Sequence, residues 1–169
     1  MGARCTEPIT RRDLKRVAAI ARREREDFFR LNLAWRLLYA RRLLCVALAG
    51  DAATHSLNGS SGFEAFDAWS FYAVHAEAAF PPHRKAREDF GASRFGRDPA
   101  LPESFKGRAV DLRGRSIEAM PGDDPVAALH RYLRARTTPT ARELANQALV
   151  LLEPAALCGY DVWPTLVTA

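Results

Sequence analysis

Three positions in this chain combine a residue type with a spacing that chemistry can use: Gly50, Asp67 and Asp111. Asp67 interrupts the aromatic run FEAFDAWSFYAV, and Asp111 interrupts the apolar run AVDL. A lone acid among core-forming residues is costly unless it is paired or holds a cation. Two such acids on two core strands suggest a shared purpose. Gly50 follows the apolar run LLCVALA and opens a small, polar, glycine-rich stretch, DAATHSLNGSSG. A glycine at such a turn lets backbone N–H groups approach an anion.

The remaining chemistry-bearing residue types form weaker patterns. His55, His75, His83 and His130 lack any metal-ligand spacing such as HExxH. His55, just after the glycine turn, reads either as a neighbour of a bound nucleotide or as a local hydrogen-bonding residue. Cys5, Cys45 and Cys158 are far apart with no CxxC pair, which argues against a zinc ribbon and against a disulfide framework. Neither a GxSxG elbow nor a Walker A loop is present. Arg84, Lys85, Arg87, Arg94, Arg97, Lys106, Arg108, Arg113 and Arg115 make residues 84–115 basic. Within that segment SRFGRDP offers Arg94 and Arg97 to phosphate and Phe95 to a stacked base. The alternative is a solvated loop, with ion pairs to Glu88, Asp89 and Asp98.

The elements that must position these residues follow from periodicity. Thr10 is a predicted N-cap for a helix over 11–29, with Leu14, Val17, Ala18, Ala21 and Phe28 toward the core. A second helix is expected over 32–44, running on through Cys45–Leu48 until Gly50 stops it. From Phe63 to Val74 the period changes to two. Asp67 then shares a side with Ala65, Trp69 and Phe71, while Glu64 points the other way. Residues 80–106 read mostly as loop, and a strand is expected over 108–118. Asp123 or Asp124 with Pro125 starts a helix, and Thr138 or Thr140 caps a last one that Pro154 ends. The order predicts one α+β domain over 1–169 with a small mixed sheet and flanking helices at both termini. Its parts are an N-terminal helix (1–32), a core (33–118) and C-terminal helices (119–169).

Ala49-Gly50-Asp51, a spacer of about a dozen residues, Ala65-Phe66-Asp67 and the later Val110-Asp111-Leu112 resemble the DNA-polymerase-β-like nucleotidyltransferase superfamily over residues 33–118. The chain is also similar to small, uncharacterised bacterial members of it. The resemblance implies a nucleotidyltransferase-like fold, Mg²⁺ held by Asp67 and Asp111, a catalytic role for both, and nucleotide contacts from Gly50 and Asp51. The chain departs from that pattern twice. Ala65 stands where the family has its first metal-binding aspartate, and Asp51 stands where Gly or Ser helps to hold phosphate. The expectation is a protein with an incomplete metal site, weakly active or turned to binding and regulation. Two other readings stand beside it: a non-catalytic nucleic-acid-binding module using residues 84–115, and a helical protein-interaction protein.

Composition narrows the classes. Apolar residues make up 48% and charged residues 27%, so the chain can bury a core without disulfides or a structural metal. The net charge of +5 is compatible with a nucleotide, nucleic-acid or protein partner. No stretch is long and apolar enough to span a bilayer, and the basic N-terminus lacks the apolar core of a secretory signal. The expectation is a cytoplasmic protein without a membrane partner.

Overall fold

The computed structural model of the chain describes residues 4–164. Among these residues six strands form one mixed sheet, flanked by helices on both faces. Helix α1 (Arg11–Leu31) starts at Thr10, whose hydroxyl accepts from the Asp13 amide while the Asp13 carboxylate accepts from the Thr10 amide. That reciprocal capping satisfies two amide donors the helix cannot use internally. Helix α2 (Leu33–Tyr39) is short, and β1 (Leu43–Ala49) follows it. Helix α3 (Gly50–Asn58) leads to β2 (Phe66–Ala73), then β3 (Lys85–Asp89) and β4 (Ala109–Ile117). Helices α4 (Pro125–Ala135) and α5 (Pro139–Leu144) precede β5 (Leu149–Glu153), a 3₁₀ turn and β6 (Asp161–Trp163).

Several expected boundaries change. LLCVALA, expected to be helical, is β1, a strand buried on both faces. LVLLE, expected inside the last helix, is β5, so the chain returns to the sheet after α5 instead of ending in helices. KARED, expected in a loop, is the edge strand β3. The strand expected from Phe63 begins only at Phe66. The N-caps of α4 and α5 are Asp124 and Thr138.

The strand order is β3-β4-β2-β1-β5-β6, and only β2 and β4 run parallel. One face packs Val46, Leu48, Phe66, Val110 and Leu112 under α1 and α3. The other packs Ala47, Trp69, Phe71, Leu149 and Leu151 under α4 and α5. A third cluster of Phe29, Tyr39, Tyr72 and Phe80 closes the end where α1 meets α2. Strand alternation assigns each β2 and β4 side chain to one of the two sheet faces. Asp67 and Asp111 fall on the α4/α5 face.

Candidate functional site

Asp67 is the second residue of β2 and Asp111 the third of β4, and the parallel register sets them side by side. Adjacent strands lie about 4.8 Å apart, so the two carboxylates are neighbours on one face. Ala49, the last residue of β1, pairs with Asp67 from the other side, and the chain turns at Gly50 with φ +68°. A Cβ at Gly50 would lie 3.4 Å from Gln147 Oε1 and 3.7 Å from Asp67 Oδ2. Glycine thus serves two needs there: the left-handed backbone and the close approach of the α3 start to the acid.

The electrostatics of the pair are asymmetric. Burial first, and then the neighbouring Asp111 charge, push the Asp67 carboxyl up to about 6, while Arg113 and Arg87 pull it down. Asp111 is held by Arg87 of β3, its register partner, through Nε at 2.6 Å and Nη2 at 3.2 Å. This two-point contact is the planar match of guanidinium to carboxylate. Nothing in the local pattern of the sequence singles Arg87 out from the other basic residues of 84–115. Only the β3–β4 register does so.

Two concavities flank the acids. One, of about 280 Å³, is lined by Arg4, Asp51, Glu64, Ala65 and Asp67. Asp51 pairs with Arg4 at 3.1 Å at the exposed rim, and its charge still adds to the rise of the Asp67 carboxyl. Glu64 corrects an expectation: it precedes the start of β2, so strand alternation does not govern it, and it borders the same hollow as Asp67. The other, of about 340 Å³, is lined by Lys85, Arg87, Asp111 and Arg113. Here the sheet face is basic. Arg113 and Arg115 lie over the Trp69 ring at 5.4 and 5.2 Å.

Comparison with protein-family models, with curated proteins and with solved structures returns no match. The chemistry of the site rests on its own geometry.

The residues expected at phosphate are divided by the fold. Gly50 and Asp51 lie beside Asp67. Arg94 instead pairs with Asp13 of α1 and donates to the Pro8 carbonyl, and its guanidinium lies over Phe95. Phe95 packs with Phe66 and Phe90 on the opposite sheet face, so it offers no surface to a base. Arg97 gives its donors to the carbonyls of Leu101, Pro102 and Phe105. Arg84 pairs with Glu24. Of the basic segment, Lys85, Arg87 and Arg113 border the hollow beside Asp111, whereas Arg115 donates to Thr140 and the Gly114 carbonyl. His55 is fully buried in a structural role: the Gly62 amide donates to Nδ1, so Nε2 carries the proton and donates to the Glu7 carbonyl.

The donor set does not fit a two-metal centre. Among the described residues no group of three or more His, Cys, Asp or Glu side chains is arranged to hold a metal ion. Ala65 contributes no ligand, and Asp111 already faces a guanidinium. What the arrangement offers chemically is a carboxyl pair, a half-exposed arginine paired with Asp111 and an open basic strand pair.

Proposed function

We propose that this chain is a nucleotidyltransferase-like protein whose metal site is incomplete, and that it binds phosphate-bearing ligands in a regulatory role. The observation that carries this reading is the register pairing of Asp67 with Asp111, with Gly50 packed against Asp67. It matches the glycine turn, acid strand and second acid strand that the sequence resemblance implies. Arg113 and its register partner Lys85 supply positive charge beside the acids, where phosphate oxygens find donors. Mg²⁺, the cofactor the resemblance implies, finds no group of three carboxylates arranged to hold it among the described residues.

Calorimetric titration of ATP, with and without Mg²⁺, tests the reading on the wild-type chain and Ala65→Asp. Residue 65 lines the same hollow as Asp67, so the new carboxylate would face it. Weak wild-type binding and a Mg²⁺-dependent gain in Ala65→Asp are expected. Absence of binding by both forms would overturn the proposal.

A second reading is favoured by Lys85 and Arg113, register partners on the open β3–β4 face. They suit a nucleic-acid backbone. Salt-sensitive RNA binding that survives Asp67→Asn and is lost in a Lys85→Gln, Arg113→Gln double variant would select it.

A further inference from the structure

A cleft of about 530 Å³ lies away from the acids, where the C-terminal half of α1 meets α2 and the start of β1. Four arginines line it: Arg22, Arg25 and Arg30 from α1, and Arg36 from α2. Arg22 and Arg25 follow the helical repeat onto one face with Phe29, and Arg30 lies one position further round. Phe29 and Leu43 give the cleft an apolar portion.

The carboxylates nearby leave these donors incompletely used. Arg22 and Arg25 converge on one buried carboxylate, Glu153, each at 3.1 Å. Arg25 Nη1 is buried and has no hydrogen-bond partner. Arg30 meets Asp27 only at the exposed surface, 3.2 Å away. Among the described residues Glu26 is the one acid in the lining, and Arg36 forms no ion pair. Four guanidiniums thus face three carboxylates, with a surplus of N–H donors around a cavity of ligand-binding size.

We propose that this cleft is a binding site for a phosphomonoester with a compact apolar body. The phosphate would take the guanidinium forks of Arg36 and Arg30, a planar match that lysine would not provide. The apolar body would cover Phe29 and Leu43. The site is separate from the Asp67–Asp111 pair and does not depend on the function proposed for it.

Phenyl phosphate is the probe, followed by calorimetry and by the arginine Nε–Hε resonances in ¹H–¹⁵N spectra. Arg36 and Arg30 are exposed, so Arg36→Gln and Arg30→Gln leave the core intact. Arg113→Gln, on the other side of the sheet, is the control. The expected result is saturable binding with a Kd of about 1 mM or tighter. It weakens about tenfold in Arg36→Gln and is unchanged in Arg113→Gln. Absence of saturable binding, or equal affinity in Arg36→Gln and wild type, would overturn the proposal. Loss confined to Arg113→Gln would do the same, by placing the anion on the β3–β4 face.

Discussion

Replacing Asp67 with Asn should make the protein more stable at neutral pH, and the size of the gain follows from the site. In the folded chain the Asp67 carboxyl is pushed up to about 6 from an ordinary 3.8, by burial and then by Asp111. Between those values the native state keeps a proton that the unfolded chain has lost. Stability linked to this group is therefore complete below about pH 4 and declines as pH rises through about 6. A shift of about two units corresponds to about 3 kcal/mol. In a chain of this size that is a change in Tm of about 10 °C. The assay is urea unfolding of wild type and Asp67→Asn at intervals from pH 4 to 7.5. Any difference due to the amide itself does not vary with pH, so the divergence of the two curves isolates the carboxyl. Wild type should fall away from the variant by about 3 kcal/mol between pH 4 and 7. Parallel curves would refute the reasoning, because they would mean that Asp67 ionises in the fold as easily as in water.

Two further substitutions probe the frame around the acids. Gly50→Ala imposes a left-handed backbone on an L-residue, and its Cβ presses toward Gln147 and Asp67; a loss of about 1–2 kcal/mol in thermal or urea unfolding is expected. His55→Leu keeps the volume but strands the Gly62 amide and the Glu7 carbonyl. A loss of about 2 kcal/mol or more should appear in the same assay, and a value near zero would mean water replaces both bonds.

The sequence disclosed the elements whose two faces differ. Helix α1 and helix α4 carry a cap, a polar side and an apolar stripe, and each was legible to within two residues at its start. LLCVALA and LVLLE were not legible as strands, because they are buried on both faces and so lack alternation. A continuous apolar run satisfies a buried helix equally well, and only pairing with β2 decides the matter for β1. KARED failed for the opposite reason: it is a partly exposed edge strand, too polar to register as one. At the site, Asp67 and Asp111 were visible because each breaks an apolar run. Glu64 was misdirected by a strand start set three residues too early. Arg87 was one arginine among many until cross-strand register placed it on Asp111.

The parallel pairing of β2 with β4 also has a consequence for how the chain assembles. Its neighbours β1 and β2 are joined through α3, a short excursion, whereas β4 reaches β2 only after residues 74–108 have been spanned. The entropy of closing that long segment must be met before the pairing returns any contact energy. Asp67 and Asp111 therefore share a face only through the β2–β4 pairing that this long segment closes. Arg87 belongs to the same excursion, on β3, one strand before Asp111 in the chain. The neutralising guanidinium and the second negative charge thus enter the sheet on the same paired strands, β3 and β4.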